Sequence, residues 1–171
     1  FDADAEVRAM QGPGGVVLPP IEAAFPGTTG PDGVDRIELG RRVFGDAEAL
    51  AKLEGIMHPA VAERRAAFVA ANLGSPMLVF DIPLLFEKGG AGGVDRIVVV
   101  SAPGDIQRER VLARAGMTAE KFAQILELQT PDSEKRAKAD YIVDTGQALS
   151  LTREDVADLV SHLRAEAATR T

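Results

Sequence analysis

Three short runs of apolar and β-branched residues alternate with segments of helical periodicity, and this alternation constrains the fold more than any other feature. The runs lie at 77–82, 96–101 and 141–143. Continuous runs of this kind predict parallel strands that are covered on both faces. Strands that alternate with helices predict an α/β fold. We therefore expect a doubly wound parallel sheet in a three-layer sandwich.

The helical segments have recognisable start and stop signals. Residues 3–10 and 16–25 predict two short helices, and Asp46 is a good N-cap for a longer one that Pro59 kinks or restarts before it ends near Asn72. In the second half, Pro103 predicts the first turn of a helix that reaches about Arg114. A further helix is predicted from a mostly apolar stripe, formed by Phe122, Ile125, Leu126 and Gln129. The last helix is predicted to open with a capping box from Thr152 to Asp155.

Composition and charge exclude several classes of protein. A chain of 171 residues with 46% hydrophobic residues suits one domain with a sizeable core. Its formal charge of −7 argues against a general nucleic-acid binder, because such proteins neutralise phosphates with basic side chains. The absence of cysteine excludes disulfides and thiolate metal sites and fits a cytoplasmic protein. No apolar run approaches the roughly 18 residues of a membrane span, so we expect no membrane partner.

Three aspartates lie where predicted strands end. Asp2 and Asp4 lie at the end of one strand and the start of a helix, where aspartate is favoured for capping and for the helix dipole. A carboxylate at the carboxyl edge of a parallel sheet can instead accept the proton of an attacking hydroxyl. Asp81 lies at the end of the strand predicted at 77–82, where its side chain either bonds to nearby backbone or helps to place Mg²⁺ through water.

Other polar residues also allow two interpretations. Arg110 and Arg114 are four residues apart, which places both on one helix face, as either a solvated surface or a phosphate clamp. His58 before Pro59 predicts a partly buried histidine at a helix kink, with ligand contact as the alternative. The tripeptide that begins at Asp144 is a turn signal or part of a ligand-binding loop.

Taken in order, these motifs resemble the dephospho-coenzyme A kinase family. They are D-A-D, H-P, D-I-P-L-L-F-E, R-x-x-x-R with G-M-T, and a strand ending in D-T-G, and they extend over essentially the whole chain. The resemblance implies a P-loop NTPase-like domain over 1–171 with strand order 2-3-1-4-5. It also implies a helical dephospho-CoA-binding part at about 12–75 and a helical lid at about 115–139. The implied reaction is ATP-dependent phosphorylation of the ribose 3′-hydroxyl of dephospho-CoA.

The same resemblance assigns roles to individual residues. By position they are catalytic Asp4 and Arg110, substrate-binding Asp2, His58 and Asp81, and ATP-binding Arg110, Arg114, Asp144 and Gly146. ATP and dephospho-CoA are the implied partners, and Mg²⁺ is implied as a cofactor that accompanies ATP, with no residue assigned as a direct metal ligand. The resemblance leaves a monomer or a small homo-oligomer equally open.

One part of the family pattern has no counterpart in this sequence. No segment matches the phosphate loop G-x-x-x-x-G-K-[ST]. We therefore expect a βα unit of roughly two to three dozen residues before Phe1, and a sheet that lacks its central strand without it. Two alternatives to the kinase are a nucleoside monophosphate kinase, whose acceptor is a phosphate, and a non-catalytic remnant in which the loop is truly absent.

Overall fold

The structure is a computed structural model that describes residues 1–87, 89 and 92–169. The chain divides into two compact units, Phe1–Ile82 and Pro83–Thr171. Within the described ranges, no helix combines the length and the apolar character that crossing a membrane requires.

The first unit is mainly helical. Its elements are α1 (Ala3–Gln11), α2 (Leu18–Ala24), β1 (Thr29–Gly30), β2 (Gly33–Val34), α3 (Arg36–Val43) and α4 (Ala47–Ala71). The two short strands form an antiparallel pair. Six buried side chains from the helices and their connections make the core: Met10, Val17, Ile21, Phe25, Leu39 and Met57. Each fully buried side chain of this size contributes about 1.5–3 kcal/mol, so this cluster is a large favourable term in folding.

Helix α4 confirms one prediction and corrects another. The Asp46 carboxylate accepts hydrogen bonds from the N–H groups of Glu48 and Ala49, so the predicted N-cap is confirmed. The helix is 25 residues long and runs through Pro59 without a break, so the predicted restart is wrong. Proline removes one helical hydrogen bond, but Met57 and Val61 on either side of it pack into the core and hold the helix together.

The strand expected at 77–82 is only a short parallel pairing. Asp2 and Asp81 form an isolated bridge, which is extended by hydrogen bonds from Phe1 N to Val79 O and from Asp81 N to Phe1 O, both 2.8 Å long. The expectation of a full strand over 77–82 is therefore wrong. On one side the pairing stops at Asp2, because the partner segment turns into helix α1 at Ala3.

Among its described residues, the second unit contains a parallel strand pair and four helices. Its elements are β3 (Val98–Ser101), α5 (Gly104–Leu112), α6 (Ala119–Glu127), α7 (Asp132–Ala137), β4 (Tyr141–Asp144) and α8 (Leu149–Ala168).

 Strands β3 and β4 run parallel in the register Val98↔Tyr141 to Ser101↔Asp144. The strands predicted at 96–101 and 141–143 are confirmed to within two residues at each end.

Burial along β3 differs from the expectation of a strand covered on both faces. Val99 and Ser101 are buried, whereas Val98 and Val100 are 40% and 65% exposed. The side chains of a strand point alternately to its two faces, so one face of β3 is packed and the other is open. An apolar β-branched run therefore predicted the strand correctly but not the burial of both faces.

Two helix boundaries in the second unit also differ from the predictions. Helix α8 begins at Leu149 rather than at a capping box, because the Thr152 hydroxyl donates to the carbonyl oxygen of Asp144 at 3.0 Å and caps no N–H group. Helix α5 ends at Leu112, so Arg114 lies beyond it. Arg110 and Arg114 therefore do not share a helix face.

The strand neighbours agree with the order 2-3-1-4-5. In the family's numbering, strand 1 is the one expected before Phe1, strands 2 and 3 are Phe1–Asp2 and 77–82, and strands 4 and 5 are β3 and β4. The order therefore makes Phe1–Asp2 a neighbour of 77–82, and β3 a neighbour of β4. Both pairings are present, each within its own unit.

Candidate active site

Asp2 and Asp4 lie at the start of helix α1, but their carboxylates have different surroundings. Asp2 is the N-cap, and its Oδ1 accepts the N–H of Ala5 at 2.8 Å. Its Oδ2 lies 3.9 Å from the guanidinium of Arg8. Asp4 is exposed in the first helical turn, and its carboxylate has no hydrogen-bond partner among the residues that the structure describes. Asp2 is thus engaged in capping, while the Asp4 carboxylate is available to a ligand.

Asp81 lies next to Asp2 on the neighbouring parallel segment. The backbone of Asp81 donates to Phe1 O and accepts from Ala3 N at 3.1 Å, which fixes its position beside the start of α1. Its side chain is exposed. The structure therefore brings Asp2, Asp4 and Asp81 to one place in the first unit, at the carboxyl ends of two paired parallel segments.

His58 is exposed on helix α4, so the expectation of a partly buried histidine is wrong. The helix is continuous at this position and Pro59 is also exposed, which leaves the imidazole on the solvent side. Among the described residues, no hydrogen bond joins the His58 side chain to Asp2, Asp4 or Asp81. Contact between His58 and a ligand remains a prediction.

The predicted ATP-side residues of the second unit meet around the loop after β4. Arg110 donates from a terminal guanidinium nitrogen to the carbonyl oxygen of Thr145 at 2.7 Å. The Asp144 carboxylate accepts the N–H of Gly146 at 2.7 Å, which closes the turn. Gly146 lies so close to Pro103 that a Cβ atom would stand 2.5 Å from the proline Cδ, so this turn requires glycine. Arg114 is exposed and is not part of this arrangement in the structure.

An open cleft of about 740 Å³ lies beside this turn, at the carboxyl ends of β3 and β4. Its lining includes Ser101, Gln107, Arg108, Asp132, Arg136 and Asp144. Ligands of open parallel sheets bind outside the carboxyl ends of the strands. The position of the cleft and its arginines therefore suit an anionic ligand.

Comparisons with known proteins identify the family. The family model described as Dephospho-CoA kinase matches residues 1–150. A dephospho-CoA kinase of Novosphingobium aromaticivorans is 63% identical over 164 residues, which cover 96% of this chain and 82% of that protein. One from Mesorhizobium japonicum is 52% identical over 167 residues, with 96% and 84% covered. The chain belongs to the dephospho-CoA kinase family.

Solved structures show the same fold. The crystal structure of TT1252 from Thermus thermophilus superposes with a TM-score of 0.78 at 30% identity, covering 95% of this chain and 83% of that one. Dephospho-CoA kinase from Campylobacter jejuni gives a TM-score of 0.65 at 22% identity, covering 97% and 85%, and so supports the fold alone. The predicted α/β fold of this kinase family is thus confirmed.

Ser101 and Asp132 are two polar residues of the cleft that were not predicted from the sequence as site residues. Ser101 is the last residue of β3 and is 4% exposed. Its hydroxyl lies 2.9 Å from both carboxylate oxygens of Asp132, the first residue of α7. The available signal was the same one that selected the aspartates, namely a polar residue where a strand ends.

Glu87, the last residue of the D-I-P-L-L-F-E motif, forms a largely buried ion pair. Its Oε1 accepts from Lys135 Nζ at 2.8 Å and from Thr130 N at 2.9 Å. Burial acts to raise the pKa of Glu87, but the hydrogen bonds from Lys135 and from backbone N–H groups, with the lysine charge, outweigh burial and hold that pKa below its usual value. The motif thus joins the loop after Asp81 to helix α7.

Proposed function

We propose that this protein transfers the γ-phosphoryl group of ATP to the ribose 3′-hydroxyl of dephospho-CoA, giving ADP and CoA. The observation that carries this proposal is the family match over residues 1–150. In the reaction the acceptor oxygen loses its proton and bonds to the γ-phosphorus, while the bond from that phosphorus to the ADP oxygen breaks. The protein contributes by positioning both substrates and by stabilising charge, with no covalent enzyme intermediate.

Asp4 is the proposed general base. It lies at the carboxyl edge of a parallel pairing, its carboxylate is exposed, and the described residues leave it without a hydrogen bond. Asp4 would take the proton of the 3′-hydroxyl as that oxygen attacks. Asp2, with one oxygen engaged by Ala5, would orient dephospho-CoA together with His58 and Asp81.

The nucleotide side of the proposal rests on the second unit. Arg110 would neutralise charge on the transferred phosphate, since a guanidinium stays protonated and donates in a fork. Its hydrogen bond to Thr145 O ties it to the Asp144–Gly146 turn, which would contact the nucleotide base. Arg114, beyond the end of α5, would bind phosphate on the side of the predicted lid.

Mg²⁺ would accompany ATP, and the first unit offers donors that fit it. Asp2 and Asp81 present exposed carboxylates at adjacent strand ends, and oxygen is the ligand type that Mg²⁺ prefers. Mg²⁺ keeps several waters and binds mainly through one or two carboxylates and the substrate phosphates, so two carboxylates would be enough. When bound, the ion would offset charge on the phosphates.

The test is Asp4→Asn in the full-length protein, with Asp32→Asn as the control. Both substitutions replace an exposed aspartate of the first unit, but Asp32 lies in the β1–β2 turn. Loss of a positioned base lowers turnover by about 10²–10⁴-fold, while the melting temperature should stay within a degree or two of wild type, roughly the scatter of a neutral surface substitution. Asp32→Asn should leave turnover unchanged.

Two results would count against different parts of the proposal. Near-normal turnover in folded Asp4→Asn removes Asp4 as the base but leaves the activity in place. A wild-type protein that binds ATP but forms no CoA from dephospho-CoA contradicts the activity itself.

A further inference from the structure

A chain of hydrogen bonds crosses the cleft of the second unit at the end of β3. Arg136 donates from a terminal nitrogen to Ser101 Oγ at 3.3 Å, and Ser101 Oγ lies 2.9 Å from each carboxylate oxygen of Asp132. A serine hydroxyl has one proton and two lone pairs. Because Asp132 accepts that proton, the lone pairs of Ser101 face Arg136. Asp132 therefore decides the direction in which this buried hydroxyl points.

Helix α7, which carries Asp132 and Arg136, is also held from another side. Lys135 bonds to the largely buried Glu87 at 2.8 Å, and Glu87 also accepts the N–H of Thr130, just before the helix. The ammonium of Lys138 lies 5.9 Å from the ring centroid of Phe86. Contacts on two sides therefore hold α7 against the end of β3.

The guanidinium of Arg136 keeps most of its hydrogen-bonding capacity. Ser101 engages one terminal nitrogen, and the described residues supply no other partner. The remaining N–H groups can bind two oxygens of one phosphate, which suits the planar fork of arginine. Arg108 lines the same cleft, so two guanidinium groups border it in a protein whose formal charge is −7.

We infer that Arg136 is a further nucleotide-binding residue that contacts the phosphates of ATP, and that Asp132, acting through Ser101, is its positioning residue. This inference rests on the proposed kinase function. Arg136 touches the ligand, whereas Asp132 and Ser101 fix the orientation of its side chain.

The experiment measures ATP binding by calorimetry and the KM values for ATP and dephospho-CoA in the full-length protein. Arg136→Gln should weaken ATP binding by about 10- to 100-fold, the range for losing charge-assisted hydrogen bonds. Asp132→Ala and Ser101→Ala should each weaken it by about 3- to 10-fold, roughly one neutral hydrogen bond. All three should raise the KM for ATP and leave the KM for dephospho-CoA unchanged.

Controls separate positioning from a purely structural role. Glu134→Gln removes a neighbouring exposed carboxylate of α7 and should leave ATP binding unchanged. Adding Asp132→Ala to Arg136→Gln should weaken ATP binding no further, because the residue that it positions is gone. If Arg136→Gln does not fold, Arg136→Lys tests the fork, with an expected loss of about 3- to 10-fold in ATP affinity at retained charge.

Three results would overturn the inference. One is ATP affinity within twofold of wild type in a folded Arg136 variant, and another is an equal rise in both KM values. The third is a further loss when Asp132→Ala is added to Arg136→Gln. ATP binding is measured without dephospho-CoA, so these outcomes are independent of whether the wild-type protein forms CoA.

Discussion

The ion pair between Glu87 and Lys135 allows a quantitative prediction about stability. The side chains are 11% and 19% exposed, and Nζ lies 2.8 Å from Oε1. The other carboxylate oxygen of Glu87 is buried and has no hydrogen-bond partner among the described residues. Removing one member of a buried pair costs about 3–5 kcal/mol, because the remaining charge is left without compensation. The carboxylate therefore depends on its two bonds through Oε1.

The two single substitutions should have unequal effects. Lys135→Met leaves a buried carboxylate with only the N–H of Thr130, so we expect a loss of about 3 kcal/mol in unfolding free energy, at the low end of the range because the lysine is partly hydrated. Glu87→Gln keeps an acceptor for Thr130 and leaves a lysine that can reach water. We expect it to lose about 1–2 kcal/mol, close to one charge-assisted hydrogen bond.

A double-mutant cycle isolates the interaction between the two residues. The double variant should lose less than the sum of the single losses, with a coupling energy of about 1.5 kcal/mol measured by urea unfolding of the full-length protein. The control cycle uses Glu38→Gln and Arg41→Met, an ion pair of 3.5 Å whose side chains are 33% and 74% exposed. Its coupling should be below about 0.5 kcal/mol, as for other surface pairs. Equal coupling in the two cycles would refute the argument from burial.

Two further predictions concern Arg110 and the effect of acid. Arg110→Lys keeps the charge but loses the fork that reaches Thr145 O, so kcat should fall at least about 10-fold if Arg110 is a phosphate clamp. The control is Arg153→Lys, at an exposed residue of α8, which should leave kcat unchanged. Steady-state kinetics therefore distinguishes a phosphate clamp from a solvated arginine. The lowered pKa of Glu87 means that its ionised form stabilises the fold above the usual value of 4.5 and loses that effect as the pH falls through the folded pKa. The stability gap between wild type and Glu87→Gln should thus be full at neutral pH and narrow below pH 4.5, and a gap that widens in acid would contradict the stated sign.

The sequence predicted elements whose signals are local. The runs predicted at 96–101 and 141–143 form the strands Val98–Ser101 and Tyr141–Asp144, and Asp46 is an N-cap. Backbone preference decides the strands, and hydrogen bonds to one side chain decide the cap. The start of α8 was wrong because the Thr152 hydroxyl bonds to Asp144 O, a contact that depends on the position of the preceding loop. Helix α7 was not predicted as a separate element, since its six residues carry no apolar periodicity.

The candidate site was predicted only in part, for a related reason. Asp2, Asp4 and Asp81 were predicted because each lies where a strand ends or a helix begins; the structure brings them together, and their roles stay predictions. Ser101 and Asp132 were not predicted, because the hydrogen bond that joins them spans 31 residues of the chain. Spacing along the chain contains no information about such a pair until the strand and helix are placed.

The two parallel pairings have a consequence for the folding kinetics of the chain. Phe1 and Val79 are 78 residues apart, whereas Ile97 and Asp140, which bond at the start of the β3–β4 pair, are 43 apart. Loop-closure entropy grows with the logarithm of loop length, so the longer loop costs only about 0.5 kcal/mol more, roughly a twofold difference in closing rate. The longer loop also contains α1 to α4, whose packing into their own core shortens its effective length. We therefore expect the two parallel pairings to form on similar timescales.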